Sequence, residues 1–202
     1  MCRKIPWTRI APLLHGFQYL TEQDEIFYHL EHSREGYQKS PGNSLVSNYK
    51  KDVSLRNEKQ WYYKEDAIRQ FAALINMIPF ENNCILLAGA TSKQRNGNLF
   101  DSRNDDVIKI VNNVTKTLIS FNLEAVQDIE PTHLGAGYRS PEKLKDFYKF
   151  TPFEIVPDVV YIVDDVITSG SHFVVWRDLI HQAHPEVKVK GFYLARTVGD
   201  IV

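Results

Sequence analysis

The chain has 202 residues, of which 43% are hydrophobic, and its formal net charge is −1. This length and composition are typical of one globular domain, or of one domain with a small appendage. The near-neutral charge argues against a general nucleic-acid or membrane-surface binder, because such binding needs a strong basic excess. No apolar run approaches the length of a membrane span. Cys2 and Cys84 lie far apart without metal-ligand spacing, so we expect reduced thiols in a cytoplasmic protein.

The first 60 residues differ in amino-acid composition from the rest of the chain. They are rich in Tyr, Ser, Asn and Lys, and they include a loop-like segment at Ser40–Ser44. A short helical pattern runs from Asp24 to Leu30. We therefore predict an N-terminal appendage over 1–60 and a core domain over 61–202. The appendage is expected to cover the active site, or to contact a second copy of the chain or a partner protein.

From Tyr62 onward, helical and strand patterns alternate along the chain. Helical spacing is found at 67–78, 105–118, 141–148 and 173–183. Short apolar runs typical of strands are found at 84–89, 123–129, 159–163 and 187–195. This alternation predicts an α/β fold in which helices cover both faces of a mainly parallel sheet. Since ligands of such folds bind at the carboxyl ends of the strands, we expect the loops after the strands to converge on one rim.

The segment 159–172 combines a buried strand with a turn suited to phosphate. Five apolar residues run straight into Asp164 and Asp165, and an apolar helix pattern begins at Phe173. The turn in between consists of Thr168, Ser169, Gly170 and Ser171. Its backbone N–H groups, its hydroxyls and the positive end of the helix suit a phosphate. The two carboxylates suit neighbouring sugar hydroxyls or a hydrated magnesium ion, so the sequence predicts a sugar phosphate as the ligand.

This segment resembles the loop of type I phosphoribosyltransferases that binds phosphoribosyl pyrophosphate (PRPP). The shared pattern is an apolar run, two acids, two apolar residues and a Thr/Ser-rich turn with glycine. The resemblance implies that Asp164 and Asp165 face the ribose 2′- and 3′-hydroxyls and hold Mg²⁺ through water or those hydroxyls. It also implies that the turn holds the 5′-phosphate. The alternative is an ordinary strand–turn–helix in which the acid pair caps the helix.

The family also has a short loop after the first core strand, which grips pyrophosphate through backbone amides. The resemblance assigns substrate binding there to Ala88, Gly89, Lys93 and Arg95. Gly89 permits a close backbone approach, and the two basic residues bring charge to an anionic ligand, to which Arg103 is a further candidate contributor. The alternative interpretation of Lys93 and Arg95 is a solvated basic loop.

A third loop, 130–140, lies where the family has its mobile lid. It contains Gly135 and Gly137 as hinges, and the resemblance makes Arg139 a catalytic residue that reaches pyrophosphate on closure. The loop lacks the basic cluster of the orotate enzymes, which argues against an orotate substrate. Thr168 stands where the 6-oxopurine enzymes have a base-contacting Asp, which disfavours hypoxanthine and guanine.

The resemblance covers 80–200 and implies a magnesium-dependent glycosyltransferase of nucleotide metabolism. Such a pentosyltransferase moves the phosphoribosyl group of PRPP to a nitrogen nucleophile, usually a nucleobase, and releases pyrophosphate. Two alternatives share the same site. One is a nucleotide-binding regulator or accessory protein of a bacterial stress or phage-defence operon, and the other is a hydrolase that acts on a phosphoribosyl group.

Overall fold

The computed structural model describes residues 6–33, 40–128 and 140–198. Within these residues, six strands form the main sheet. They are β1 (Thr8–Arg9), β2 (Glu25–Ser33), β3 (Cys84–Ala88), β4 (Leu118–Ser120), β7 (Val159–Ile167) and β8 (Lys188–Val198). Two short strands, β5 (Leu123–Ala125) and β6 (Tyr148–Phe150), form a separate antiparallel pair.

The main sheet is parallel apart from its first strand. Its order is β1-β2-β8-β7-β3-β4, and β1 pairs with β2 in the antiparallel sense. β7 lies between β8 and β3, and the five residues from Val159 to Val163 are all buried. An uninterrupted apolar run is what a strand covered on both faces requires. The predicted mixed α/β class with a mainly parallel sheet is confirmed.

Helices cover both faces of this sheet. α2 (Pro41–Tyr49), α3 (Trp61–Ile75) and α4 (Arg103–Thr115) contribute to one apolar core, which includes Phe71 and Ile108. α6 (Ser171–Ala183) contributes Phe173 and Trp176 to the other core. The remaining helical segments are α1 (Pro12–His15), α5 (Pro141–Leu144) and the 3₁₀ turns Val53–Leu55 and Lys145–Phe147. None of the helices described is long and apolar enough to cross a membrane.

The helix predicted from Asp24 to Leu30 is wrong, because this segment is part of β2. Ile26 and Tyr28 are buried, whereas Glu25 and Phe27 beside them are less so, which is the period-two burial of a strand. β2 pairs in parallel with β8 over its whole length. Part of the segment 1–60, predicted as an appendage, therefore belongs to the central sheet.

Three other predicted boundaries also differ from the structure. The helix predicted to reach residue 118 ends at Thr115, because Lys116 adopts a left-handed conformation with φ of 59°. The chain then forms β4, which was not predicted. The strand predicted at 123–129 is the short β5, which lies outside the main sheet, and the helix predicted at 141–148 gives way to a 3₁₀ turn and β6.

The connections of β3 and β7 diverge. From β3 the chain passes through α4 to β4 at one side, whereas from β7 it passes through α6 to β8 on the other side. The carboxyl ends of β3 and β7 therefore flank a topological switch point, the place where open α/β sheets bind ligands.

Candidate functional site

Asp164 and Asp165 lie at this switch point and are both buried, with 7% and 6% exposure. β7 continues through them to Ile167, so the acids belong to the strand and are held by its ladder. Asp164 lies directly opposite Tyr193 of β8. Because successive side chains of a strand point to opposite faces, the two acids have different neighbours.

Asp165 is surrounded by cations. Its Oδ2 accepts hydrogen bonds from Nε of Arg103 at 3.1 Å and from Nη2 at 2.5 Å. The ammonium group of Lys50 lies 3.5 Å from the same oxygen, and the N–H of Val166 donates to Oδ1 at 2.5 Å. Burial alone would raise the pKa of Asp165, but the charges of Lys50 and Arg103 and the hydrogen bonds hold that pKa well below its usual range. Asp165 is therefore the ionised acid of the pair.

Asp164 has an uncharged hydrogen-bond partner. Its Oδ1 accepts from Nδ2 of Asn104 at 2.9 Å, and the same nitrogen donates to the carbonyl oxygen of Gly89 at 2.9 Å. Oδ1 of Asn104 in turn accepts from the Tyr49 hydroxyl at 2.8 Å. Burial raises the pKa of Asp164, and the neighbouring negative charge of Asp165 raises it further. The two adjacent acids are thus electrostatically unequal.

Arg103 connects the site to a buried ion-pair chain. Its Nη1 donates to Asp101 at 2.6 Å, and Nζ of Lys64 donates to the same carboxylate at 2.6 Å. Lys64 is only 1% exposed and also donates to the carbonyl oxygen of Lys51 at 2.7 Å. Burial would lower the pKa of Arg103, but the charges of Asp165 and Asp101 hold it above its usual value. Arg103 is therefore a fixed cation at the rim.

The predicted phosphate turn begins α6. Gly170 is the N-cap residue, has a φ of 84°, and has no side chain to bond the first amides of the helix. The hydroxyls of Thr168 and Thr197 are 2.8 Å apart, and those of Ser169 and Ser171 are 2.9 Å apart. The turn therefore brings hydroxyls and helix amides together beside the acids, as the sequence predicted. That it binds phosphate stays a prediction.

Glycine is required at 170 for a second reason. A Cβ built there would lie 2.5 Å from Cδ2 of Leu20, which packs over the turn from the N-terminal segment. Leu20 is itself buried. The N-terminal part of the chain therefore contacts the predicted phosphate turn directly.

In the predicted pyrophosphate loop after β3, Ala88 and Gly89 make contacts within the chain. The N–H of Gly89 donates to the carbonyl oxygen of Val163 at 2.9 Å, and Ala88 is fully buried at the end of β3. A Cβ at Gly89 would lie 2.9 Å from that of Asp164 and 3.1 Å from Cζ3 of Trp176. Close packing of the acid therefore accounts for this glycine.

The basic residues of the same loop also have partners. Nζ of Lys93 lies 3.3 Å from a carboxylate oxygen of Asp128. Arg95 forms an ion pair with Asp105 of α4, and its guanidinium lies 5.0 Å from the ring centroid of Phe100. Both charges are thus compensated, which favours a role in holding the loop on the fold. Pyrophosphate binding by Lys93 and Arg95 stays a prediction.

The third predicted loop, with Arg139, lies outside the described residues, which leave out 129–139. Its action as a lid therefore stays a prediction.

Sequence reasoning missed most of the polar network at the rim. It named Arg103 only as an additional charge, and it missed Tyr49, Lys50, Lys64 and Asn104. No local motif marks these residues, because each meets its partner across a long stretch of chain.

A magnesium ion on the acid pair requires free carboxylate lone pairs. Both oxygens of Asp165 already accept hydrogen bonds from Arg103 or Val166, and Asp164 is buried against Asn104. Within 6–33, 40–128 and 140–198, no three His, Cys, Asp or Glu side chains form a group that could hold a metal. This arrangement does not fit an ion coordinated directly by the two acids, and the predicted Mg²⁺ remains untested.

Comparison with known proteins gives little. No family model matches the chain, and no curated protein matches it. Among solved structures, the chain is similar to a hypoxanthine phosphoribosyltransferase from Staphylococcus aureus, with 12% identity and a TM-score of 0.38. The match covers 67% of this chain and 75% of that chain. A likeness this weak does not decide the function, which has to be inferred from the motif and the geometry of the site.

Proposed function

We propose that the protein has the type I phosphoribosyltransferase fold, binds PRPP or a nucleoside 5′-monophosphate, and transfers the phosphoribosyl group to a nitrogen nucleophile such as a nucleobase. One observation carries the proposal. The acid pair, the left-handed glycine turn and the start of α6 follow one another at the switch point between β3 and β7. This order along the chain puts the carboxylates shortly before a turn that carries phosphate donors.

The acids have different roles in this proposal. Asp165 is ionised and lies beside the half-exposed Lys50, so it is the acceptor for the ribose hydroxyls. Asp164 is buried beside Gly89 and fixed by Asn104, so it supports the strand end on which Asp165 is carried. The turn 168–171 binds the 5′-phosphate and sets the position of the sugar.

The proposed reaction is a displacement at C1 of the ribose. The C1–oxygen bond breaks with its electron pair going to pyrophosphate, and the nitrogen nucleophile forms the new bond to C1 and loses its proton to solvent. Positive charge develops on the sugar ring, and a fixed carboxylate beside the ribose stabilises it. No described side chain at the rim is placed as a general base, so catalysis consists of positioning and charge stabilisation.

A second candidate is a nucleotide-binding regulator or accessory protein without turnover, such as one from a bacterial stress or phage-defence operon. The observation that favours it is the saturation of Asp165 by Arg103 and Lys50. An acid already paired within the chain binds a diol only after its partner moves. Binding without release of pyrophosphate would identify this candidate.

The experiment measures ligand binding and pyrophosphate release together. Wild-type protein is titrated by calorimetry with ribose 5-phosphate and with ribose, and is then incubated with PRPP and a panel of nucleobases. We expect ribose 5-phosphate to bind much more tightly than ribose, and one base to stimulate pyrophosphate release. Gly170→Val should abolish ribose 5-phosphate binding for two reasons. The new side chain would clash with Leu20, and valine rarely adopts the positive φ of this position.

The second part of this experiment replaces one acid of the pair. Asp165→Asn should weaken ribose 5-phosphate binding by about 10- to 100-fold, the range of one charge-assisted hydrogen bond. Asp66→Asn is the matched control, since Asp66 is exposed and its ion pair with Arg69 lies on the surface of α3. Equal affinity for ribose and ribose 5-phosphate, or unchanged binding in a folded Asp165→Asn variant, would reject the proposal.

A further inference from the structure

The rim around Asp165 carries more positive than negative charge. Lys50, Arg103 and Lys64 alternate with Asp165 and Asp101 in one chain of ion pairs, so three cations face two carboxylates. Asp164, the remaining acid, has its pKa raised by burial and by Asp165, which reduces its contribution of negative charge. An excess of positive charge in a partly buried rim attracts anions and repels divalent cations.

Two of these cations meet on a single oxygen. Nη2 of Arg103 lies 2.5 Å, and Nζ of Lys50 lies 3.5 Å, from Oδ2 of Asp165. Arg103 has Asp101 as a second partner, which it shares with Lys64, whereas within the described part of the chain Lys50 pairs only with the oxygen that Arg103 already occupies. The Lys50 side chain is 48% exposed to solvent. Lys50 follows the end of α2, and Arg103 begins α4, so rigid elements bring the two cations together.

We propose that Lys50 and Arg103 form a binding site for pyrophosphate that works without a metal ion. This inference rests on the proposed function and adds to it the means by which the leaving group is bound. Guanidinium groups bind phosphate well because their planar donors fit its oxygens, and Arg103 already directs two of these donors, Nε and Nη2, at one anionic oxygen, Oδ2 of Asp165.

Ligand binding is then an exchange of partners. Arg103 and Lys50 turn from Asp165 to the anionic oxygens of pyrophosphate, and the released carboxylate accepts the ribose hydroxyls. In the bound state pyrophosphate compensates the two cations, and the ribose hydroxyls donate hydrogen bonds to the released carboxylate, so each buried ion keeps a polar partner. The cations Lys50 and Arg103 thus compensate the charge of pyrophosphate, a role for which the resemblance named Lys93, Arg95 and Arg139.

The test is calorimetric titration with inorganic pyrophosphate in the presence of EDTA. We expect wild-type protein to bind pyrophosphate without any divalent cation. Lys50→Gln should weaken this binding by about 10- to 100-fold, the range of one charge-assisted hydrogen bond. Lys50 is chosen because it is half-exposed, whereas Arg103 is buried between two carboxylates and its replacement puts folding at risk. Lys109→Gln, which removes an exposed lysine of α4, is the control and should bind as wild type does.

A parallel titration of wild-type protein with ribose 5-phosphate separates the two proposals. This probe uses the turn 168–171 and Asp165, and it carries no pyrophosphate. Binding of ribose 5-phosphate without binding of pyrophosphate in EDTA would overturn the inference and leave the proposed function standing. Unchanged pyrophosphate affinity in Lys50→Gln would also overturn it. Failure of wild-type protein to bind ribose 5-phosphate would instead reject the proposed function, and the inference with it.

Discussion

Replacement of Gly170 by alanine separates two reasons for glycine in the turn before α6. Gly170 has a φ of 84°, and a Cβ there would lie 2.5 Å from both Cγ and Cδ2 of Leu20. Gly16 has a φ of 70° and no heavy atom within 4 Å of the same position. The two glycines thus share the left-handed backbone, but only Gly170 is crowded by a side chain.

The expected magnitudes follow from this difference. A left-handed conformation costs a non-glycine residue roughly 1–2 kcal/mol, so Gly16→Ala should lower the free energy of unfolding by about that amount. Overpacking of a buried contact costs roughly 1–3 kcal/mol more, so Gly170→Ala should lower it by about 2–5 kcal/mol. The gain from restricting the unfolded chain is the same for both substitutions and cancels in the comparison.

The assay is equilibrium urea unfolding of Gly16→Ala, Gly170→Ala, Leu20→Ala and the double variant of the last two. Leu20→Ala removes the atoms that the new Cβ meets, so the loss in the double variant should be smaller than the sum of the single losses by about 1–3 kcal/mol. Equal losses in Gly16→Ala and Gly170→Ala, or additive losses in the double variant, would refute the packing of Leu20 on the turn. The predicted loss of phosphate binding would then rest on φ alone.

Two further predictions concern buried charges. Burial and the charge of Asp165 raise the pKa of Asp164 to about 7, above its unfolded value, so wild-type protein should lose stability as the pH rises through that raised pKa. The Asp164→Asn variant has no ionisable group at this position. Its free energy of unfolding should therefore rise relative to that of wild type between the unfolded and the folded pKa of Asp164, by at most about 1.4 kcal/mol per pH unit. A difference in free energy of unfolding that does not change with pH would contradict the raised pKa of Asp164. Lys64→Met removes one partner of a buried ion pair and should cost about 3 kcal/mol in urea unfolding, whereas Lys109→Met at an exposed pair should cost less than about 1 kcal/mol. Similar losses for the two lysines would show that the Lys64 pair contributes no more than a surface pair.

Local sequence was sufficient to predict the elements that have a characteristic residue pattern. The apolar run before Asp164 predicted β7, the glycine turn predicted the start of α6, and helical periodicity predicted most of α3 and α4. These signals work because the φ of Gly170 and the spacing of apolar side chains depend on neighbours a few residues away. The acid pair and the phosphate turn are therefore recognisable from the sequence alone, whereas their function stays a prediction.

Only the tertiary structure decided which residues pair across the fold. β2 carries alternating buried residues that also fit a helical pattern, and its pairing with β8 joins segments from opposite ends of the chain. The same holds for the ion pair of Lys64 with Asp101, 37 residues apart, and the hydrogen bond of Tyr49 with Asn104, 55 residues apart. Periodicity specifies which face of an element is buried, but it does not specify the element that covers that face. The cations around Asp165 come from α2 and α4, so their convergence on one carboxylate depends on how these helices pack against the sheet.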